Sequence, residues 1–354
     1  MDTPLKRIPV GILGATGTVG QRFIQLLEDH PWFEVAWVAA SERSSGRSYA
    51  EAVRWKLSTG IPARIAALTV SQPETKGAPR VIFAALDSAI AQEMEPRFAA
   101  AGCAVITNSS AFRMQADVPL VVPEVNASHL PLLETQSWRK QGGCIVTNPN
   151  CSAIGLVMAL APLHARFGVE KVFAVTMQAV SGAGYPGVAS LDILGNVIPY
   201  IAKEEEKMEA ESKKLLGRFS NGRVTDAAFA ISTQCNRVAV EDGHTESVSV
   251  KLAKPATRSD VLEAWAAAAA SSEIAGLDLP SAPELPVVFD DRQDRPQPRL
   301  DIHRGRGMTA VVGRLRPCSL LDWKFTVLSH NTVRGAAGAA ILNAELMKVR
   351  GYIS

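Results

Sequence analysis

The chain has 354 residues, of which 47% are hydrophobic and 20% charged, so it can bury more than one core and is expected to form two domains. Lys and Arg total 37 against 35 Asp and Glu, which excludes the basic surface of a nucleic-acid-binding protein and favours a small-molecule partner. The 5 cysteines form no CxxC pair or Cys/His cluster, and no apolar run is long enough to span a membrane. We therefore expect no metal site, no membrane segment and a reducing, cytoplasmic location.

Short apolar runs rich in β-branched residues recur along the first 150 residues. They are IPVGILG, FEVAWVAAS, VIFAAL, CAVITNSS and CIVTNPN. Helical or turn-like stretches separate several of them. Continuous apolar runs of this length are typical of parallel strands that are covered on both faces. Residues 1–150 are therefore predicted to form an α/β, Rossmann-like domain.

The pattern changes after residue 150. A long apolar helix is predicted over roughly 151–166, and later runs such as HTESVSVKL and DWKFTVLSH alternate like half-exposed strands. Residues 151–330 are therefore expected to form an α+β domain with a mixed or antiparallel sheet. The last stretch, 331–354, is expected to return to the first domain as a helix. Residues 286–307 are rich in Pro, Arg and Asp, and are expected to form a long loop that is functional or covers a partner.

A glycine-rich turn lies between the first predicted strand and an amphipathic helix, in VGILGATGTVGQRFIQLLEDH. Glycines at such a turn let the chain bend tightly and bring backbone N–H groups against a pyrophosphate at the positive end of the helix. A purely structural turn is the alternative, but the strand EVAWVAAS at the expected distance favours a dinucleotide site. The candidate cofactor-binding residues of this turn are Gly14, Thr16, Gly17, Thr18 and Val19.

The end of the second predicted strand bears on the choice of dinucleotide. An NAD site usually offers an acidic side chain to the ribose hydroxyls at this point, whereas this chain has SERSSGR. Ser41, Arg43 and Ser44 supply hydroxyls and a guanidinium that suit a 2′-phosphate, so NADP is favoured. Glu42 leaves the alternative open, because its carboxylate could still hold a ribose.

Cys151 follows the tripeptide Asn-Pro-Asn, where a strand is predicted to end and a helix to begin. Cysteine is often a small core residue, and that interpretation suffices for Cys103, Cys144 and Cys318, which lie in or beside apolar runs. In the first turn of a helix, however, the helix dipole and unpaired N–H groups favour a thiolate. Such a thiolate could attack a carbonyl carbon while nearby N–H groups stabilise the oxyanion.

A nucleophilic cysteine beside a nicotinamide indicates a thioacyl intermediate coupled to hydride transfer, which interconverts an aldehyde and an acyl phosphate or thioester. This chemistry needs an acid/base group. His244, in CNRVAVEDGHTESV, is the candidate because it follows EDG at the start of an alternating strand, although a structural histidine is an equal alternative on spacing alone.

The chain resembles aspartate-semialdehyde dehydrogenases of the archaeal and fungal branch. The resemblance runs in order through nearly the whole chain, in GILGATGTVGQRF, AASERSSGR, NSSAFRM, TNPNCSAIGL, QAVSGAGYPGV, EEEKMEAESKKLLG, CNRVAVEDGHTESV, RPQPRLD and HNTVRGAAGAAILNAEL. It implies reduction of β-aspartyl phosphate by NADPH to aspartate semialdehyde, NADP and phosphate. That reaction belongs to the aspartate pathway to lysine, threonine, methionine and isoleucine.

The resemblance also implies a role for individual residues. The implied catalytic residues are Cys151 as nucleophile, His244 as acid/base and Gln178 as the group that positions the thioacyl. The implied substrate-binding residues are Arg237 for the carboxylate, Glu204 for the amino group, Lys207 and Arg113 for the phosphate, and Asn150. Ser181, Gly182 and Asn331 would surround the nicotinamide. Arg237 precedes His244 by seven residues (244 − 237), so a turn at EDG is inferred to bring them together.

Three alternatives remain at this stage. A malonyl-CoA or succinyl-CoA reductase would share the cysteine, histidine and glycine turn but would need a surface for coenzyme A. An N-acetyl-glutamyl-phosphate reductase typically has NPGC where this chain has NPNC. A non-catalytic NADP-binding paralogue would have no physical need for Cys151, Gln178, Arg237 and His244 together. The resemblance implies a homodimer through the second domain, or a homotetramer.

Overall fold

The structure is a computed structural model that describes residues 6–354. The strands, in chain order, are β1 (Ile8–Leu13), β2 (Phe33–Ala39), β3 (Val81–Ala84), β4 (Ala104–Thr107), β5 (Cys144–Thr147), β6 (Val169–Gln178), β7 (Arg218–Ser220), β8 (Arg223–Thr225), β9 (Ala230–Arg237), β10 (His244–Leu252), β11 (Val287–Asp290), β12 (Ala310–Pro317) and β13 (Trp323–Ser329).

The α-helices are α1 (Thr18–Leu27), α2 (Tyr49–Ala52), α3 (Ala63–Ala66), α4 (Ser88–Ala100), α5 (Pro123–Asn126), α6 (Cys151–Phe167), α7 (Ser190–Ile193), α8 (Glu204–Leu215), α9 (Arg258–Ala266), α10 (Ala268–Ser271), α11 (Pro298–Asp301) and α12 (Gly338–Val349). Segments of 3₁₀-helix cover Ala127–Thr135, Ser137–Gln141, Val180–Ala183 and Arg304–Gly307, and a π-helical turn covers Val333–Ala337.

The first sheet has the strand order β2-β1-β3-β4-β5, and neighbouring strands pair in parallel. One face of it is covered by α1, whose Phe23 and Ile24 share a buried cluster with Val10 of β1. The other face is covered by α4, whose Phe98 packs with Ile82 of β3. Both faces are therefore apolar, which explains the continuous apolar runs and confirms the predicted α/β, Rossmann-like fold.

The second sheet has the order β11-β12-β13-β10-β6-β9. It is mixed, because β6/β9 and β11/β12 are parallel pairs whereas β10 is antiparallel to both β6 and β13. Helix α6 packs on its inner face, and Trp265 of α9 is fully buried against α6 with its indole N–H donating to Ala159 O at 2.9 Å. The predicted α+β architecture is confirmed.

The chain returns to the first sheet at its C-terminal end. After β13, the π-helical turn leads into α12, and Ile341, Leu342 and Leu346 of α12 are buried in the same cluster as Val10 and Phe23. The segment that joins the two sheets a second time therefore contributes to the core of the first.

The expectation of a long loop over residues 286–307 is wrong. Its beginning forms β11, which pairs in parallel with β12 at the edge of the second sheet, and a turn of helix, α11, follows. Several of its charged side chains pair with one another: Asp301 accepts from Arg295 at 2.5 Å, and Asp290 pairs with Arg304 at 2.5 Å. Because the charges are neutralised locally, the segment can pack against the sheet despite its composition.

Candidate active site

Cys151 and His244 meet where two secondary-structure elements begin. Cys151 is the first residue of α6 and His244 is the first residue of β10. The distance from Cys151 Sγ to His244 Nε2 is 3.1 Å, and the side chain of Cys151 remains partly exposed. The turn inferred between Arg237 and His244 is confirmed, because β9 ends at Arg237 and β10 begins at His244.

The surroundings of His244 fix its tautomer. The backbone N–H of Ala179 donates to His244 Nδ1 at 3.1 Å, so Nδ1 is an acceptor and the ring proton lies on Nε2. Burial, together with the charges of Arg237 and His330, lowers the pKa of His244 to about 3, so the ring is neutral at pH 7. His244 therefore presents an Nε2–H donor to the sulfur and cannot accept the thiol proton in this arrangement.

Burial dominates the electrostatics of Cys151. Burial, together with the charge of Glu204 and against the opposing charges of Arg113 and Arg237, raises the pKa of the Cys151 thiol to about 12. The expectation of a resting thiolate at the helix N-terminus is therefore not met in this state, because lost hydration outweighs the helix dipole and the two arginines. The thiol is therefore the favoured form of Cys151 at pH 7 in this arrangement.

Asn150 connects the helix start to the acidic side chains of α8. Its Oδ1 accepts from the backbone N–H groups of Ser152 and Ala153 at 2.9 and 3.0 Å, which makes it the N-cap of α6. Its Nδ2 donates to Glu204 Oε1 at 2.8 Å, and its backbone N–H donates to Glu211 Oε2 at 2.6 Å. The position of Cys151 is thus tied to two buried carboxylates.

The first of three consecutive glutamates points into the site. Glu204 is buried and bonded to Asn150, and Lys207 Nζ lies 3.8 Å from its Oε2. Glu205 instead accepts from the backbone N–H of Cys235 at 2.9 Å, and Glu206 is exposed.

Glu211 and Lys214 are residues that sequence reasoning missed. Glu211 Oε1 accepts from Arg113 at 3.0 Å, and Lys214 Nζ donates to the carbonyl oxygens of Arg113, Gln115 and Val118 at 2.7, 2.8 and 2.8 Å. A spacing of 3, 4 and 3 residues from Glu204 through Lys207 and Glu211 to Lys214 was the available signal, because it places the four on one face of α8. We infer that this face holds the segment that carries Arg113.

Gln178, Arg237 and Gly182 lie beside the histidine. Gln178 is buried at the end of β6 and donates to Thr176 Oγ1 at 3.2 Å, while Arg237 donates to Ala179 O at 2.7 Å. A Cβ on Gly182 would lie 2.9 Å from the Arg237 guanidinium and 3.1 Å from the His244 ring. Glycine is needed there for close approach.

The glycine turn has the shape of a phosphate cradle. Gly14 has φ +78°, and a Cβ on it would lie 2.3 Å from Ala85 O. Gly17 is the N-cap of α1 and provides no side-chain hydrogen bond there. The backbone N–H groups of Thr18 and Val19, which follow Thr16 and Gly17 in the first turn, are therefore available to an anion. These features fit a dinucleotide pyrophosphate.

The remaining cofactor candidates fall into two groups. Ser41, Arg43 and Ser44 lie in the turn after β2, where Ser41 and Arg43 are exposed. Ser181 and Asn331 lie near His244 and bond to each other, with Asn331 Nδ2 donating to Ser181 Oγ at 2.7 Å.

Within residues 6–354, no group of His, Cys, Asp and Glu is arranged to hold a metal ion. Over that same range, no helix has the length and apolarity that crossing a bilayer requires.

Two family models match the chain: "Semialdehyde dehydrogenase, NAD binding domain" at residues 9–132 and "Semialdehyde dehydrogenase, dimerisation domain" at residues 160–334. The fold and site therefore define a semialdehyde dehydrogenase. The chain belongs to the aspartate-semialdehyde dehydrogenase family, which confirms the resemblance inferred from the motifs.

Full-length relatives carry this assignment. The aspartate-semialdehyde dehydrogenase of Archaeoglobus fulgidus is 49% identical over 344 residues, covering 96% of this chain and 98% of that one. The enzyme of Schizosaccharomyces pombe is 46% identical over 355 residues, covering 97% and 99%. The crystal structure of aspartate semialdehyde dehydrogenase with NADP from Candida albicans superposes with a TM-score of 0.90 at 40% identity, covering 98% of this chain and 100% of that one.

The pKa of Cys151 can be tested by alkylation. Without substrate, we expect its rate of reaction with iodoacetamide to rise about tenfold per pH unit from about pH 6 to pH 9 without levelling, because the thiolate is the reactive form. The measurement is mass spectrometry of the labelled peptides. Cys318 is the internal control, since hydrogen bonds from the backbone N–H groups of Leu321 and Leu320 and from Ser249, with the charge of Lys324, together outweigh its burial and lower its pKa. A plateau for Cys151 below about pH 8 would mean that the helix N-terminus prevails.

Proposed function

We propose that this chain reduces β-aspartyl phosphate with NADPH to aspartate semialdehyde and phosphate, in the aspartate pathway of amino-acid biosynthesis. The observation that carries the proposal is the 3.1 Å contact between Cys151 Sγ and the Nε2–H of His244, inside a cluster of buried charged side chains. Membership of the aspartate-semialdehyde dehydrogenase family supports the substrate. The structure of the Candida albicans enzyme with NADP supports the cofactor.

Each charged group of the substrate has a counter-charge near Cys151. We assign the substrate carboxylate to Arg237, the amino group to Glu204, and the phosphate to Arg113 and Lys207. Pairing of the substrate ammonium with Glu204 would neutralise a charge that raises the pKa of Cys151. Substrate binding would thereby favour loss of the thiol proton, which the departing phosphate takes up as Cys151 Sγ bonds to the acyl carbon and the carbon–oxygen bond to phosphate breaks.

The tautomer of His244 determines its part in the later steps. NADPH, when bound against the glycine turn, supplies a hydride to the thioester carbon. The Nε2–H of His244 is directed at the sulfur and can donate a hydrogen bond to the oxyanion that forms on that carbon. As that oxyanion collapses to the aldehyde, the carbon–sulfur bond breaks and the sulfur leaves as a thiolate. Gln178 and Asn150 are assigned to holding the acyl group.

We also propose that the two domains have separate functions. Residues 1–150 with 331–354 would bind the dinucleotide, supported by the shared core of β1 and α12. Residues 151–330 would carry catalysis and dimerisation. The free thiols of the cysteines in the described part of the chain support a reducing compartment, such as the cytoplasm.

Cys151→Ser should lower phosphate-dependent reduction of NADP by aspartate semialdehyde about 10³-fold or more while NADPH binding, measured by fluorescence titration, stays unchanged. Cys318→Ser is the matched control and should retain activity. The wild-type protein is assayed in parallel with malonyl-CoA and succinyl-CoA. Turnover of either thioester in preference to aspartate semialdehyde, or full activity of Cys151→Ser, would refute the proposal.

For the cofactor, we propose NADP, with the 2′-phosphate held by Ser41, Arg43 and Ser44 and the pyrophosphate by the turn from Gly14 to Val19. Arg43→Ala should lower kcat/KM for NADPH about tenfold to a hundredfold, the size of a lost arginine–phosphate pair, and leave that for NADH nearly unchanged. Arg97→Ala, an exposed arginine on α4, is the control. Equal use of NADPH and NADH by the wild type would contradict the assignment.

The outer face of the second sheet supports a homodimer. It carries Phe173, Val175 and Met177 of β6 and the polar side chains of β10, and Phe173 is 41% exposed. We propose that two copies pack through this face. Phe173→Glu should convert the dimer to a monomer in analytical ultracentrifugation, because a buried unpaired carboxylate is costly. Ile90→Glu, at an exposed position of α4, should not. A wild-type monomer would disprove it, and a species of four subunits would mean that dimers pair.

A further inference from the structure

A chain of polar contacts connects α1 to the backbone just before His244. Arg22 of α1 pairs with Asp242, with NH2 3.6 Å from Oδ2. The other carboxylate oxygen of Asp242 accepts from Ser181 Oγ at 2.7 Å. The contacts therefore join the first helix of the nucleotide-binding side to two loops of the catalytic side.

The contacts continue through Asn331 to the residue that precedes His244. Ser181 Oγ accepts from Asn331 Nδ2 at 2.7 Å, and Asn331 Oδ1 accepts from the backbone N–H of Gly243 at 2.8 Å. We call Arg22, Asp242, Ser181, Asn331 and Gly243 the Asp242 network. Because Asp242 and Gly243 are consecutive, the network holds the peptide unit between them, which directly precedes His244.

The opposite side of this backbone leaves little room for movement. Gly243 has φ +106°, and a Cβ on it would lie 2.6 Å from Ile302 and 3.1 Å from Pro298. Beside the ring itself, a Cβ on Gly182 would lie 3.1 Å from His244, so only glycine leaves space for the imidazole there. The position of His244 thus follows the position of Asp242.

The negative charge of Asp242 is paired with a cation of the neighbouring domain. Arg22 is mostly buried, with its side chain 15% exposed, and the charge of Asp242 raises its pKa against the lowering effect of burial. His330 lies in the same region, but burial lowers its pKa to about 4, so it is neutral near pH 7. The cation that faces Asp242 is therefore Arg22.

We propose that Arg22 and Asp242 are positioning residues through which α1, whose N-terminus would hold the dinucleotide pyrophosphate, sets the place of His244 relative to Cys151. The inference rests on the function proposed above and deepens it, because it assigns a role to two residues that touch neither substrate nor sulfur. It also assigns Ser181 and Asn331 a structural role, in addition to their proposed role in surrounding the nicotinamide.

The test is a double-mutant cycle with Arg22→Met and Asp242→Asn. Asparagine keeps an acceptor for Ser181 but loses the charge that Arg22 pairs with. Each single variant should lower kcat about tenfold or more, since misplacement of a catalytic group by an ångström can cost a hundredfold. The dissociation constant of NADPH should change by less than about threefold, and the double variant should be no slower than the slower single variant.

Arg64→Met is the matched control, because it removes an exposed ion pair with Glu34 that makes no contact with the site. Single variants with kcat within about twofold of this control would overturn the inference, as would effects that multiply in the double variant. Thermal unfolding of all variants separates misplacement from loss of folding. Should the wild type fail to turn over aspartate semialdehyde, the proposed function itself is refuted, and that outcome is distinct from active wild type with insensitive variants.

Discussion

The approach of Cys151 Sγ to His244 Nε2 requires that the first residue of α6 and the first residue of β10 meet at one point. Three residues separate the end of β5 in the first sheet from the start of α6, which packs on the inner face of the second sheet. The helix is therefore the joint between the two architectures, and its start lies at their boundary. Asn150 fixes that start by capping the helix, a contact typically worth about 1 kcal/mol.

One peptide segment determines what the histidine can do. The N–H of Ala179 donates to His244 Nδ1, and the carbonyl of the same residue accepts from Arg237. An acceptor role for Nδ1 leaves the proton on Nε2, so the ring faces the sulfur as a donor. Ala179, whose side chain is only a methyl group, thus holds both Arg237, which is assigned to the substrate carboxylate, and His244, the proposed hydrogen-bond donor.

The sequence was sufficient to predict those site residues whose chemical role is indicated by their position at the start of a helix or strand. Cys151 after Asn-Pro-Asn and His244 after Glu-Asp-Gly stand at element boundaries that local patterns reveal. The glycine turn is visible for the same reason, because φ +78° at Gly14 and the close approach of Ala85 O leave no room for a side chain. Both sheets could likewise be predicted from runs and alternation.

What the sequence concealed depends on contacts between distant segments. KEEEKMEAESKK has the composition of a solvated helix, yet Glu204, Glu211 and Lys214 are buried because their partners come from Asn150, Arg113 and the carbonyls of 113–118. The segment 286–307 was misjudged for a similar reason, since its aspartates and arginines neutralise one another only after folding. The resting state of Cys151 was also misjudged, because a desolvation cost cannot be read from the start of a helix.

The buried charges of the site lose hydration on folding, but they hold its side chains in place before a substrate binds. A buried ion pair such as Arg113 with Glu211 loses hydration on folding, and breaking it leaves a charge without a partner, at a cost of about 3–5 kcal/mol. The arrangement is therefore poor as a source of stability, but it holds Arg113 in place before a substrate arrives. Glu204 differs, because its nearest cation, Lys207, is 3.8 Å away and partly exposed. Its negative charge adds to the burial that raises the pKa of Cys151. A substrate ammonium group beside Glu204 would remove this smaller contribution, so an acyl phosphate that lacks the amino group would meet a less reactive nucleophile.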